Sequence, residues 1–332
     1  MTEFVSVVIP AYNAAATIGA CVRAVCAQAY EGAFELLVVD DGSTDGTAAV
    51  ARAAGATVIT TPRGRPAAAR NAGLRAARGA IVCFTDADCT PRPGWLRELA
   101  APFADPAVVA CKGSYATRQT ALVARFVQLE YEDKYDLLRR QQTIDFIDTY
   151  SAAYRRAVLL GHGGFDERFD YLEDQELSFR LAARGCHMLF REAAVVEHFH
   201  SATLRAYLRK KAIIGYWKAQ VVRRYPDRAV RDSHTPQVMK VQMGLAALIV
   251  VALAASGVGL ALGWGWQALG PFAALLLLFA ATTIPFVRKA WAKDWGVALA
   301  APALLFGRAL ALGAGYGWGL LRPRQWSVSG EQ

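Results

Sequence analysis

Hydrophobic and polar positions fall into two kinds of run in the first half of the chain. FVSVVIP, FELLVVD, ATVITT and AIVCFTD are short, apolar and rich in β-branched residues. Between them lie AAATIGACVRAVCAQA, GTAAVARAAG and PAAARNAGLRAARG, which carry helical patterns. Short buried-type strands separated by helices of this kind predict βαβ units and a mainly parallel sheet covered on both faces. Ligands of such sheets bind beyond the carboxyl ends of the strands. The polar residues at those ends are Tyr12 and Asn13, then Asp40 and Asp41, then Asp86 and Asp88. The pattern therefore collects a tyrosine, an amide and several carboxylates on one rim.

Helical spacing resumes from Leu122 to Gln141 and from Glu173 to Arg184, where Gly185 supplies a stop. HMLF and AVVEH read as strands. From Thr203 to Tyr225, Leu204, Leu208, Ile214, Trp217 and Val221 recur among Arg209, Lys210, Lys211, Lys218 and Arg223. That is a basic amphipathic helix of the kind that lies in the headgroup plane of a bilayer. Two uncharged stretches follow, 243–262 and 268–287, each of the length a bilayer core requires. The loop between them, GWGWQ, is neutral, whereas RKAWAKDW after them is basic, which predicts a hairpin with its basic flanks on the cytosolic side. A third apolar run, 296–321, carries Arg308 near its middle. A charge at the bilayer centre costs at least ~2.5 kcal/mol, so the expectation here is a re-entrant or interfacial helix. The chain thus divides into an α/β domain over 1–200, a basic interfacial segment over 201–240 and a membrane domain over 241–325.

Composition sharpens this division. The chain has 332 residues, of which 54% are hydrophobic, and a net charge of +9. Between Ser201 and Lys240 ten Lys or Arg face two Asp, so the positive excess sits beside the first apolar run. Anionic lipid is the partner that placement predicts, and nucleic acid is not. The six cysteines show no zinc spacing and mostly fall in apolar patterns, as buried free thiols in a reducing compartment do. MTEFVSVVIP lacks the basic start and long apolar stretch of a signal peptide, so no cleaved leader is expected. A cytoplasmic (inner) membrane protein, multi-pass, with its α/β domain facing the cytosol, is the resulting expectation.

Asp86 and Asp88 stand one residue apart at a strand end, where mutual repulsion requires a cation between them or water to keep them apart. The pair by itself is also what a polar turn closing a strand looks like. As chemistry, its hard oxygens suit Mg²⁺ or Mn²⁺, ions usually shared with substrate phosphates. There is no GxxxxGK[ST] and no GxGxxG after the first strand, so neither a P-loop nor a dinucleotide fingerprint is present.

VSVVIPAYN, LLVVDDGSTDGT, AAARNAGLRAARG, FTDAD and GGFDERFDYLEDQELSFRLAARG occur in the order seen in family 2 glycosyltransferases, which the chain resembles over residues 4–200. The resemblance implies a GT-A fold, Rossmann-like with a mainly parallel sheet, followed here by the C-terminal transmembrane helices. It implies that Pro10, Ala11, Tyr12 and Asp41 wall the nucleotide base, that Arg70 faces base or phosphate, and that Asp86 holds the ribose side. Arg70 is otherwise an ordinary helix-surface arginine. The resemblance makes Asp88 a metal ligand and His198 of EHFH a second one, with Mn²⁺ or Mg²⁺ as the cofactor. His200 then contacts the diphosphate or caps the next helix. Asp174 of the ED pair resembles the general base of a single inverting displacement, and Glu173 orients the acceptor or Asp174; acids in a helix's first turn also complement its dipole.

The expected reaction moves a sugar from a nucleotide-diphosphate sugar to a hydroxyl of a lipid-linked or glycolipid acceptor. A polyprenyl-phosphate sugar synthase and a non-catalytic membrane scaffold are the alternatives.

Overall fold

Continuous rather than alternating apolar runs give strands buried on both faces, and the first strand, β1 (Val5–Ala11), is buried along nearly its whole length. The structure is a computed structural model that describes residues 3–229, 232–233 and 235–324. Arg231, counted among the basic residues above, and the domain end at 325 lie outside the described residues.

By compactness the chain forms two units, Met1–Arg118 with Tyr135–His200, and Gln119–Lys134 with Ser201–Gln332. In chain order the first carries β1, α1 (Ile18–Cys26), β2 (Phe34–Asp40), α2 (Thr47–Ala53), β3 (Thr57–Thr60), α3 (Arg65–Ala76), β4 (Ile81–Phe84), β5 (Cys89–Pro91), α4 (Trp95–Ala100) and β6 (Val108–Ala116). After α5 (Leu122–Leu138), whose residues to Lys134 belong to the second unit, come β7 (Ala152–Arg155), α6 (Arg156–Gly161), α7 (Glu173–Ala182) and β8 (His187–His198).

The strands form one sheet in the order β3-β2-β1-β4-β7-β6-β8-β5. β3, β2, β1 and β4 run parallel; β7 is antiparallel to both neighbours, β8 is parallel to β6, and β5 is antiparallel to β8. The register Ala11↔Asp40 and Val8↔Phe84 brings the ends of β1, β2 and β4 to one edge. α3 closes on β1 at Gly73, where a Cβ would collide with Val8. The two strands read from HMLF and AVVEH are one, β8. Its polar middle, Arg191 to Ala193, bulges between the pairings of Lys112 and Ser114 and interrupts the apolar pattern without ending the ladder.

The second unit contains residues 119–134 of α5, then α8 (Leu204–Arg224), α9 (Gln237–Ala261), α10 (Gly270–Lys293) and α11 (Trp295–Leu321). Three stretches in it, Gln237–Ala261, Gly265–Lys293 and Trp295–Leu321, are long and apolar enough to cross a membrane. α9 and α10 leave Val251, Leu253, Val258 and Leu277 exposed, as lipid-facing helices do. α8 and α11 approach closely through Gly215, Gly315 and Gly319, where added Cβ atoms would strike Leu312, Ala212 and Tyr216 backbone.

Arg308 is not the bare charge the sequence suggested. It is 7% exposed, donates to Glu130 at 2.7 Å and to Gln242 Oε1 at 2.5 Å, and Glu130 also accepts from Tyr207 and pairs with Lys211. α11 itself is continuous over its 27 residues. The charge penalty that argued against a span is offset by these partners.

Candidate active site

The edge formed by β1, β2 and β4 opens into a cleft of about 470 Å³, and its lining includes Pro10, Ala11, Tyr12, Asp41, Arg70, Asp86 and Asp88. All of the residues expected to hold the nucleotide are therefore brought together. Asp41, just past β2, is buried and fully engaged: Oδ1 accepts from the Gly64 amide at 2.6 Å, and Oδ2 from the Arg65 amide and Arg63 Nη1, each at 2.8 Å. Those bonds hold a tight turn in which Arg65 adopts φ +72°, a left-handed conformation a side chain resists. The turn lays the Arg63 guanidinium over the Tyr12 ring, 3.2 Å from its centroid.

Arg70 lies on the buried side of α3, not on a helix surface. Nη2 donates to Asp86 Oδ1 at 2.9 Å, and Nη1 pairs with Glu173, the first residue of α7. Burial opposes the guanidinium's charge, but Glu173 and then Asp86 more than offset it and hold its pKa above the usual value. The next residue works in the opposite direction. Asn71 donates to Phe165 O at 2.8 Å and to Glu167 at 2.9 Å, and accepts from the Phe165 amide at 2.9 Å. It thereby staples the GGFDE loop to α3. Sequence reasoning passed over Asn71, although its place beside Arg70 in ARN was the available signal.

The pairing of β5 with β8 places Cys89 opposite His198, which sets Asp88 beside the imidazole. Asp88 Oδ2 and His198 Nε2 are 3.5 Å apart. The two aspartates thus tolerate their proximity because each faces its own partner: Asp86 turns to Arg70 and Asp88 to His198. With the Cys89 sulfur, Asp88 and His198 offer ligand atoms that all lie within 4.8 Å of one another. Burial, and then the charges of Asp86 and Asp88, push the Cys89 thiol well above its usual range, and its sulfur is a softer donor than the oxygens Mg²⁺ or Mn²⁺ prefer. Asp88 and His198 by themselves fit one divalent ion from one side, with room for oxygens of another molecule. His198 Nδ1 lies 3.3 Å from His200 Nδ1, and His200 is buried.

Glu173 and Asp174 are not in the cleft lining; Arg70 links them to it. They open α7 after Leu172, which takes φ +62°. Burial raises Asp174's pKa well above the ordinary carboxylate value, the neighbouring Glu173 and Asp148 raise it further, and Arg70 works against them. Asp148 is itself tied to the buried Lys112. Once ionised, a half-buried carboxylate in these surroundings holds a proton more strongly than an exposed one, which suits it to accept one.

Residues 6–161 match the model for glycosyl transferase family 2. The pre-mycofactocin glycosyltransferase of Mycobacterium tuberculosis is 32% identical over 236 residues, 68% of this chain and 48% of that protein. A validoxylamine A glucosyltransferase of Streptomyces hygroscopicus is 32% identical over 240 residues, 60% of this chain and 57% of its own. The chain spans about half the length of these curated relatives. A mannosyltransferase from Pyrobaculum calidifontis, solved in complex with GDP-Man and Mn²⁺, superposes with a TM-score of 0.61 over 96% of this chain and 88% of that one, at 23% identity. That likeness shows the fold.

Proposed function

We propose that this chain, which belongs to glycosyl transferase family 2 through its residues 6–161 and carries that family's GT-A fold, is an inverting glycosyltransferase. In this reading it moves a sugar from a nucleotide-diphosphate sugar to a hydroxyl of a lipid-linked acceptor. One observation carries the reading. A single buried guanidinium, Arg70, joins a cleft-lining carboxylate, Asp86, to Glu173 of the acid pair that opens α7.

In the proposed mechanism the nucleotide enters the cleft over Tyr12, with Pro10 and Ala11 behind it, and displaces the Arg63 guanidinium from the ring. Asp86, oriented by Arg70, accepts from the ribose hydroxyls. Asp88 and His198 would hold Mn²⁺ or Mg²⁺, which when bound would supply Lewis acidity toward the diphosphate. Asp174 accepts the proton of the acceptor hydroxyl as that oxygen attacks the anomeric carbon. Glu173, fixed by Arg70, keeps Asp174 in place. One displacement inverts the anomeric configuration, so an α-linked donor yields a β-linked product.

The second unit supports the lipid-linked acceptor and the inner membrane in this reading. The α9–α10 hairpin exposes an apolar surface suited to the bilayer, with the basic α8 preceding it on the cytosolic side. α11 contacts α8 from Leu208 to Tyr216 through Gly307, Gly315 and Gly319, and the charges of α8 favour a place for both at the headgroup level rather than in the hydrocarbon. A reporter fused after residue 324 is then expected on the cytosolic side, and a periplasmic reporter signal would make α11 a third span.

The experiment for the reaction is donor hydrolysis and transfer by the full chain reconstituted in lipid, with UDP-, GDP- and dTDP-sugars and either metal. Release of one nucleotide, lost in Asp88→Ala and Asp174→Asn, is the expected result. Calorimetry that finds no nucleotide binding, together with no release from any donor, sinks the reading in favour of a scaffold. A sugar–phosphate–lipid product would instead establish the polyprenyl-phosphate synthase.

A further inference from the structure

His198 reaches Asp88 with Nε2 and His200 with Nδ1, so both ring nitrogens are committed to named atoms. A neutral imidazole carries one proton, on one nitrogen or the other. The contact of two Nδ1 atoms at 3.3 Å holds one proton between them. If it belongs to His200, His198 accepts at Nδ1, and its own proton sits on Nε2, donating to Asp88 Oδ2. That register is satisfied but leaves Nε2 no lone pair for a cation. If the proton belongs to His198 Nδ1, it is donated to His200, and the Nε2 lone pair points to the space beside Asp88.

We infer that His200 is a positioning residue whose Nδ1 accepts the His198 Nδ1 proton, and so selects the His198 tautomer able to bind a divalent cation together with Asp88. The inference rests on the metal reading above and adds to it a residue that touches neither ion nor substrate.

The surroundings fix both rings for this task. His200 is 6% exposed, and the side chain of His198 is also largely buried, so neither ring turns freely toward water. The Tyr115 ring packs against both, 4.7 Å from the His198 centroid and edge-on at 5.5 Å from that of His200. Tyr115 is held in turn by its backbone amide, which donates to Tyr135 Oη at 2.7 Å. β8 ends at His198, and its pairing with Cys89 fixes where the first ring starts. A ligand imidazole oriented by a partner at its other nitrogen is a recurrent arrangement, and loss of that partner typically weakens metal binding 10–100-fold.

The test measures Mn²⁺ binding to the full chain in detergent by the electron paramagnetic resonance of free Mn²⁺, with the metal alone as the probe. Asn places its side-chain oxygen where Nδ1 of His stands, so His200→Asn keeps an acceptor. His200→Gln places its oxygen one bond further and does not, and His200→Leu has none. Wild type and His200→Asn are expected to bind within about threefold of each other, and His200→Gln and His200→Leu about 10–100-fold more weakly. Equal binding by wild type and His200→Gln overturns the inference, as does an Asn variant as weak as the Gln variant. Should the Leu variant fail to fold, the Asn–Gln contrast decides, read beside the thermal midpoints of the two variants, because a merely structural role would lower midpoint and binding together whereas loss of the acceptor weakens binding at an unchanged midpoint. Absence of Mn²⁺ binding by wild type, or binding that survives Asp88→Ala and His198→Ala, strikes the metal reading itself and is told apart from failure at His200.

Discussion

Arg70 Nη2 donates to Asp86 Oδ1 at 2.9 Å while its other terminal nitrogen grips Glu173. Residues 16 and 103 positions away in the chain are thereby joined on one planar fork. A guanidinium suits this because its donors are preset in a plane and it remains charged when buried. The pair therefore couples the cleft to the start of α7.

Arg70→Ala leaves Glu173 buried and unpaired and Asp86 with one partner fewer. Removing one member of a buried ion pair costs about 3–5 kcal/mol. Chemical denaturation should report a loss of that size in the full chain, and nucleotide binding should weaken. Arg70→Lys keeps the charge but not the fork, and should fall between the two. An Ala variant within 1 kcal/mol of wild type would mean that the fork holds nothing together.

The raised pKa of Asp174 gives stability a pH dependence of definite sign. The native state keeps the Asp174 proton to a higher pH than the unfolded chain, whose carboxyl titrates near the ordinary value of about 3.9. The native state thus binds more protons across that window, and stability present below it is lost as pH rises through the native pKa. Asp174→Asn should flatten this slope and make the chain more stable at neutral pH while abolishing transfer. In wild type the acid limb of kcat/KM should fall at a pH above the ordinary carboxylate range. Urea titrations from pH 4 to 8, with the matching rate profile, check both; an Asn variant less stable at pH 7 contradicts the assignment.

Glu130 has its pKa held down to about 2, since Lys211 and Arg308 outweigh the burial that would raise it. Stability from this carboxylate is present above the ordinary carboxylate value and is lost only as pH falls through the native one. Arg308→Leu removes one of its two close cations and should lower the thermal midpoint in detergent, by the equivalent of about 2–4 kcal/mol. Adding Glu130→Gln should recover part of that loss, because the uncompensated charge goes with it. Losses that simply add in the double variant would show that the two residues do not act as a pair.

Much of this was legible in the chain. β1, β2 and β4 announced themselves as apolar runs, and the polar residues after them do share an edge. What the sequence hid was made by pairing across distance. β5 is three residues long and contains a proline, so no pattern marks it, yet it is β5 that sets Asp88 against His198. β6 and β7 were not read either: Gly113 and Lys112 break the apolar run of β6, and only four residues make up β7. Arg70 was expected to face base or phosphate, but helical spacing alone could not tell it from a surface arginine, because its partners lie on β4's end and on α7. Asn71 was invisible for the same reason, since the loop it clamps follows some ninety residues later. Helical spacing marked α5 correctly, but spacing says which face is apolar and not what covers it.

Residues 119–134 carry a consequence for how this protein can be taken apart. The chain passes between its two units at three points, after Arg118, after Lys134 and after His200. Phe126 is covered edge-on by Tyr207 and Phe286, and Glu130 by Lys211 and Arg308, all of them beyond residue 200. A single cut at 200 therefore does not excise a self-sufficient enzyme. It strands an oily strip and an orphaned carboxylate in the middle of the remaining polypeptide, and the fragment inherits an appetite for detergent that its own αβ sheet does not explain. Two incisions, with 119–134 replaced by a short polar bridge, are the minimum that this threading allows.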